Sequence, residues 1–332
     1  MAKIVLGLGT SHTPMLLASD ETLERFIETD QKMKHRDKDG RPVTYGELLE
    51  KADPKMAHLV APANLVARQN VARDGIKRVA QTLANSNLDA LIVMGDDQNE
   101  SYKEDCRPAF AIYYGDSIRN SNEQHEEYSK RFPEWYVQNR QAFFEDEGPR
   151  DYPVHSGLAV HLLESLMDMG FDMGASKCLP EGEGEGHAIA YVHRRVMDPR
   201  KPVAAVPIFL NTYFPPNQPR PKRCYEFGQA VRKAAEAFPG EERVGILASG
   251  GLSHFLVDED LDRAILKACA DKDAEFLQNI PRNKLHAGSS EILNWIAIAG
   301  AVEHLDLDWF EYVPGYRTPA GTGTGLSFAS WT

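Results

Sequence analysis

Two histidines of this 332-residue chain follow short apolar segments, where side chains often do chemistry. His12 comes soon after the run KIVLGL at residues 3–8, and His254 soon after the run RVGILA at residues 243–248. Both runs are typical of strands buried on both faces in the middle of a sheet. In open α/β sheets, sites form where loops leave the carboxyl ends of strands. We therefore expect both imidazoles at one edge of a sheet, where they can bind a metal ion or move a proton.

Each histidine also has a plain structural interpretation. A single histidine after a strand is often a capping or hydrogen-bonding residue, which holds for His12 taken alone. His254 follows Gly250 and Gly251, which permit close approach of the backbone to a ligand or serve only the geometry of a turn. The residue types alone therefore indicate a site without selecting a metal enzyme.

Two further groups of polar residues could belong to such a site. The acids in GDDQNE, residues 95–100, follow the apolar run at 89–95 and could bind a metal, but we favour a solvated loop. His187 follows Gly186 at a predicted helix start, so it can face a ligand. His193 is six residues further on, a spacing that does not put both side chains on one helix face.

Apolar runs alternate with helical patterns along the chain, which is typical of an α/β sheet covered by helices on both faces. We predict strands at 3–8, 89–95, 109–114, 203–210 and 243–248, and helices at 63–86, 156–169, 222–238, 258–279 and 290–303. The predicted fold is one domain over residues 1–332, with a central mixed, mostly parallel sheet. Residues 30–60, 104–108 and 132–153 are predicted surface excursions.

Composition excludes several classes of function. The net charge is −12 and the basic residues are scattered, which argues against a nucleic-acid partner. The four cysteines form no CxxC pair, so they predict neither a zinc ribbon nor a disulfide framework. The chain has no HExxH, GxSxG or GxxxxGK[ST] motif, and we find no membrane span or signal peptide. We expect a cytoplasmic protein.

Three segments together resemble the class III extradiol ring-cleavage dioxygenases, a family that includes protocatechuate 4,5-dioxygenase, gallate dioxygenase and 3-O-methylgallate dioxygenase. They are the opening IVLGLGTSHTPML, the segment SGGLSHF and the late segment SSEILNWIAIAGA. Their order and spacing fit the family along nearly the whole chain. The resemblance implies extradiol cleavage of a catecholic ring, with a carboxylated substrate favoured, and insertion of both atoms of O2.

The resemblance also implies a metal site with two histidines and one carboxylate that binds Fe(II) on one face. His12 matches the first histidine ligand, His58 in KMAHLVAP best matches the second, and Glu291 in SSEILNW matches the carboxylate. His254 in GGLSHF matches the active-site acid and base. Without the family, Glu291 would be interpreted as a helix cap and His58 as a surface residue.

Thr13, Gln98 and His187 are expected to contact the substrate. Gln98 is a departure, because many relatives have a histidine near this place, and glutamine cannot carry a proton near pH 7. The family also implies a homodimer, and the excursion at 30–57, that at 130–153 or a second copy of the chain could close the pocket.

Three alternatives remain open at the sequence level. One is an extradiol enzyme for an aminophenol or a dihydroxypyridine, with the same ligands and another pocket. Another is a non-catalytic binding protein of the same fold, which need not keep a complete ligand set. The third is a zinc or manganese hydrolase that uses the same residues.

Overall fold

The structure, a computed structural model, describes residues 1–121, 130 and 132–332. The described residues form thirteen strands: β1 Lys3–Thr10, β2 His35–Arg36, β3 Pro42–Val43, β4 Ala90–Asp96, β5 Phe110–Tyr113, β6 Ser117–Asn120, β7 Arg150–Pro153, β8 Gly174–Ser176, β9 Ala204–Leu210, β10 Arg243–Ser249, β11 His254–Leu256, β12 Leu307–Tyr316 and β13 Thr322–Trp331.

The same residues form twelve α-helices: α1 Pro14–Leu17, α2 Phe26–Asp30, α3 Tyr45–Lys51, α4 Met56–Leu59, α5 Pro62–Asn85, α6 Glu134–Gln141, α7 Ser156–Asp168, α8 His187–Tyr191, α9 Pro221–Ala237, α10 Glu259–Asp271, α11 Ala274–Gln278 and α12 Ile292–Ala301. Short 3₁₀ turns lie at Asp20–Arg25, Arg282–Lys284 and Ala287–Glu291, and a π-helical turn at Val192–Val196 follows α8.

The main sheet has the order β11-β13-β1-β10-β4-β9-β5-β8, and β12 pairs with β13. Its centre is parallel, since β1, β10, β4 and β9 all run the same way. β13 and β5 run antiparallel to β1 and β9, which makes the whole sheet mixed. This confirms the predicted α/β sheet and places the carboxyl ends of β1, β10 and β4 side by side.

Alternation along the strands divides the core into two layers. In β4, Ile92 and Met94 pack into one apolar cluster with α7, α9 and α12, while Leu91 and Val93 pack into the other with α5 and α8. Successive side chains of a strand point to opposite faces, so a strand apolar at every position is covered by helices on both sides. The two layers hold the central strands firmly at the edge where the polar loops leave.

Two sequence predictions about elements differ from the structure. The helix predicted at 258–279 is divided into α10 and α11, because Lys272 adopts a left-handed conformation with φ 57° and Asp273 then caps α11 by accepting from the Phe276 amide. The strands β12 and β13 were not predicted. All ten residues of β13 are buried, although the strand begins within the glycine-rich run GTGTG at residues 321–325.

The described residues also bear on membrane insertion and on disulfide bonds. None of their helices combines the length and apolar character that a membrane crossing requires. Cys106 and Cys178 are exposed and Cys224 and Cys269 are buried, all as free thiols.

Candidate metal centre and active site

Buried polar side chains converge at the carboxyl ends of the central strands. His12 follows β1, Asp96 is the last residue of β4, and Glu291 lies at the start of α12, which packs against β10 and β4. The exposed fractions of these residues are 5%, 0% and 2%. Buried charges are costly unless they are paired or bind metal ions, so this arrangement requires a physical explanation.

Hydrogen bonding fixes which nitrogen of His12 carries its proton. The Ser249 hydroxyl donates to the Ala188 carbonyl at 2.8 Å, so its single hydrogen is already used. His12 Nδ1 lies 2.9 Å from the same Ser249 oxygen and must therefore be the donor. Burial lowers the pKa of His12 to about 3, more than the nearby charge of Glu291 raises it, so the ring is neutral and Nε2 presents a lone pair.

That lone pair faces two carboxylates. His12 Nε2 lies 3.7 Å from Asp96 Oδ1 and 3.7 Å from Glu291 Oε2. Among the described residues, neither His12 Nε2 nor Asp96 Oδ1 has a hydrogen-bond partner. Acceptors that face one another in a buried space need a cation or a proton between them. Two donors about 2.1 Å from one metal ion can be up to about 4.2 Å apart, so these atoms fit a shared ion.

The charge state of the two carboxyl groups differs. Burial raises the pKa of Asp96 to about 7, and the charge of Glu291 adds to that shift. Burial also raises the pKa of Glu291, but the charge of His254 and its hydrogen bond lower it to about 2. Glu291 is therefore ionised at neutral pH, and a divalent ion would displace the proton that Asp96 tends to hold.

His187 joins this cluster from α8. It is the first residue of the helix, as predicted, and its Nε2 lies 3.8 Å from Asp96 Oδ2. One donor atom each from His12, Asp96 and His187 lies within 4.8 Å of the other two. Glu100 accepts from His187 Nδ1 at 2.7 and 2.9 Å and from its backbone N–H at 3.1 Å. Arg140 donates to the same glutamate at 2.9 Å.

His254 lies on the other side of Glu291. Its Nε2 is 3.1 Å from Glu291 Oε1, and its Nδ1 is 2.8 Å from the Leu252 carbonyl and so carries a hydrogen. Burial lowers the pKa of His254, but the charge and hydrogen bond of Glu291 outweigh it and raise the pKa above its ordinary value. A Cβ on Gly288 would overlap the His254 ring, so only glycine permits this approach. His254 can thus hold a proton beside the cluster.

The residues expected to contact the substrate are partly brought together. The Gln98 amide donates to Asp96 Oδ2 at 3.1 Å and lies 3.5 Å from Glu291 Oε1, which puts it at the rim of the cluster. Thr13 is buried next to His12, and its hydroxyl makes no cap bond to α1. Burial and the charges of Glu291 and Asp96 raise the pKa of Tyr213, which is half-buried after β9, well above the usual value.

The structure does not bring His58 to this cluster. His58 lies exposed on the short helix α4, and its carbonyl accepts from the Asn64 side chain. The geometry therefore gives no support to the ligand role that the resemblance implied for His58, and that role stays a prediction. His187, expected to contact the substrate, lies beside His12 and Asp96 instead.

The interpretation of GDDQNE as a solvated loop was wrong. Asp96, Asp97 and Glu100 have exposed fractions of 0%, 4% and 2%. The Asp97 carboxylate accepts from the backbone of Ser101 and Tyr102, which closes the loop on itself. A signal was present in the sequence: the acids follow directly on a strand that is apolar at every position, so they had to emerge at the buried edge of the sheet.

Part of the excursion predicted at 130–153 covers this edge. Residue 131 lies outside the described residues. Phe143 packs edge-on against both His12 and His187, with ring centroids 6.4 Å apart in each case. An apolar ring over the two imidazoles helps to keep water out, and Arg140 ties α6 to Glu100.

A family model described as the catalytic LigB subunit of aromatic ring-opening dioxygenase matches residues 54–304. The chain belongs to this family. The LigB match covers His254 and Glu291, while His12 precedes the matched range. It confirms the resemblance to class III extradiol dioxygenases.

Curated relatives support the same family at lower coverage. The chain is 37% identical over 114 residues to a gallate dioxygenase of Pseudomonas putida, which is 33% of each chain. It is 34% identical over 101 residues to a 2,3-dihydroxyphenylpropionate/2,3-dihydroxicinnamic acid 1,2-dioxygenase of Comamonas testosteroni, or 30% of each chain. The matches thus span about a third of the length of these two relatives.

Proposed function

We propose that this LigB-family chain is an Fe(II)-dependent extradiol dioxygenase that opens a catecholic ring and inserts both atoms of O2. The observation that carries the proposal is the buried set of facing acceptors formed by His12 Nε2, Asp96 Oδ1 and Glu291 Oε2. Nitrogen and carboxylate donors with open positions suit Fe(II) in oxygenases. The ion would lower the pKa of the ring hydroxyls and let the ring reduce O2.

The residues of the chain would divide the remaining work. His12 and Glu291 hold the ion, and Ser249 and the Gly251 N–H orient them through bonds of 2.9 and 2.7 Å. His254 gives the proton on its Nε2 to the reacting ring and takes one back, because its Nδ1 is committed to the Leu252 carbonyl. Phe143 limits the entry of water.

The substrate is proposed to be an aromatic acid with neighbouring hydroxyl groups, such as protocatechuate, gallate or 3-O-methylgallate. The two curated relatives are named for gallate and for 2,3-dihydroxyphenylpropionate, both of this chemical class. We also propose that residues 1–332 form one catalytic domain that works as a cytoplasmic homodimer. The single domain and the location rest on the sequence pattern, and the homodimer on the family resemblance alone.

Oxygen uptake tests this proposal. The chain is purified without air, loaded with Fe(II), and given protocatechuate, gallate, 3-O-methylgallate, catechol and 2-aminophenol in turn. We expect about one O2 consumed per ring opened for a carboxylated catechol. Uptake with 2-aminophenol alone would favour the aminophenol alternative. No uptake by the iron-loaded protein with any of these rings would contradict the proposal, and tight zinc binding with ester hydrolysis would favour a hydrolase.

A further inference from the structure

The sequence leaves the second imidazole ligand in doubt. His58, implied by the resemblance, is exposed on α4. The loop after β4 holds Gln98, whose amide donates to Asp96 instead of offering a ring nitrogen. His187 remains as the buried imidazole that lies beside both His12 and Asp96, with its ring centroid 4.6 Å from that of His12.

We propose that His187 is the second histidine ligand of the ion bound by His12, with Asp96 as a carboxylate donor between them. The inference rests on the metal site of the proposed function and names its donors. His12 Nε2 to Asp96 Oδ1 is 3.7 Å and His187 Nε2 to Asp96 Oδ2 is 3.8 Å. Both separations are below the roughly 4.2 Å that two donors on one ion allow.

The contacts of Glu100 fix the direction in which His187 donates. Both Glu100 oxygens lie within 2.9 Å of His187 Nδ1, so this nitrogen carries a hydrogen and Nε2 is the nitrogen that can bind an ion beside Asp96. A carboxylate that accepts from the far nitrogen of a ligating histidine is the usual arrangement in metal sites. Glu100 is therefore a positioning residue.

Two neighbours hold Glu100 in place. Arg140 of α6 donates to Glu100 Oε1, and the exposed fractions of the two side chains are 11% and 3%. A Cβ on Gly186 would lie 3.0 Å from Glu100 Oε2, so a larger residue before His187 would push the carboxylate away. The histidine, the glutamate and the arginine thus form one buried chain that ends at the cluster.

The donor set has a consequence for charge. Two neutral imidazoles with the carboxylates of Asp96 and Glu291 would balance the charge of a divalent ion. Burying a balanced site costs less than burying one with net charge. A ligand set that includes His58 would require α4 to move inward, because His58 is exposed on the surface.

The experiment measures metal binding without any ring substrate. Apo-protein is titrated with Co(II), whose visible absorption reports the number and type of ligands, and with Fe(II) against a chelator of known affinity. We expect His187→Ala to weaken binding by about 100-fold or more and to change the Co(II) spectrum. Glu100→Gln should weaken it by about 10-fold with His187 still ligating. His58→Ala should match the wild type.

Folding is checked by circular dichroism and by the Tm of each apo variant. His187→Gln serves as a second variant if His187→Ala does not fold. His161→Ala is the matched control, because the His161 ring bonds the Ala234 carbonyl in the opposite layer of the core. Wild-type affinity and spectrum in both His187 variants, or their loss in His58→Ala, would overturn the inference. Metal held through His187 without O2 uptake would overturn only the proposed function.

Discussion

His187 and His193 are two buried histidines of one helical segment. Each makes a hydrogen bond from Nδ1 to a glutamate, but their Nε2 atoms lie in different surroundings. His187 Nδ1 bonds Glu100 at 2.7 and 2.9 Å, and His193 Nδ1 bonds Glu185 at 2.8 and 2.9 Å. His187 Nε2 then faces the Asp96 carboxylate. The His193 ring instead stacks on Tyr152, with centroids 4.2 Å apart and planes 4° apart.

A histidine–glutamate pair therefore does not by itself indicate a metal site. The Glu185 carboxylate also accepts from the Asn120 amide at 2.7 Å, so it joins the π-helical turn that holds His193 to β6. His193 Nε2 faces no carboxylate among the described residues and has no hydrogen-bond partner there. The surroundings of Nε2 distinguish the two histidines: His187 belongs to the candidate metal cluster, and His193 belongs to a structural pair.

We expect the largest effect from His12→Ala, which removes a residue of the candidate metal cluster and leaves the His193–Glu185 pair intact. In His12→Ala, the ion loses the imidazole that Ser249 orients, so we expect the Kd for Fe(II) to rise at least about 100-fold and turnover to vanish. His193→Ala should keep wild-type metal stoichiometry. It should instead lower the free energy of unfolding by about 3–5 kcal/mol, because Glu185 loses its buried partner.

Metal analysis and urea unfolding of the two variants check this contrast. A His12→Ala protein with one tightly bound iron would remove His12 from the ligand set. A His193→Ala protein that loses iron at unchanged stability would show that the two pairs have the same role.

The second largest effect is expected from His254→Ala, which should separate iron binding from proton transfer to the substrate. His254→Ala should keep iron, because His254 Nε2 contacts the Glu291 carboxylate and His254 is proposed as an acid and base, not as a ligand. Turnover should fall by about 10²–10⁴-fold, the range for loss of a general acid or base. Single-turnover product formation and iron content measure the two properties separately. Unchanged kcat in His254→Ala would refute the proton-transfer role.

The strands were predicted correctly where the apolar pattern of the sequence matches a position in the centre of the sheet. The strands β1, β4, β9 and β10 are continuously apolar, and such runs belong in the centre of a covered sheet. β13 was missed because its glycines, serines and threonines lack the apolar signal, although its position between β1 and β12 buries every residue. A strand of small residues is buried by its neighbours, which a local pattern does not show.

The site was predicted where a residue follows a recognisable strand. His12 and His254 lie at the expected edge of the sheet, and Glu291 joins them as the resemblance implied. Asp96 and Glu100 were interpreted as part of a solvated loop because charge alone suggests one, although both are buried. His58 was chosen by sequence similarity, which carries no information on burial.

The third effect is a dependence of metal binding on pH. Burial and the charge of Glu291 raise the pKa of Asp96 to about 7. For His187, burial lowers the pKa, but the charge and hydrogen bond of Glu100 raise it to about 9. Both groups hold protons below these values, and metal binding must release them. The affinity for Fe(II) should therefore increase as the pH rises from about 6 to 8, by about tenfold per pH unit for each proton released.

Titration of metal affinity at several pH values checks the slope. Asp96→Asn cannot release a proton, so its slope should be smaller, whereas His193→Ala should keep the wild-type slope. An affinity that does not change between pH 6 and 8 would show that neither proton competes with the metal.

The smallest effect concerns the rim of the cluster. Gln98→His replaces an amide that donates to Asp96 and Glu291 with an imidazole that can carry a proton. We expect the relative rates for protocatechuate, gallate and catechol to change by about tenfold or less, as for loss or gain of one neutral hydrogen bond. Gln138→His is the matched control, because Gln138 is exposed on α6 and its amide contacts only Glu134 among the described hydrogen bonds. Equal relative rates in both variants would place Gln98 outside the substrate pocket.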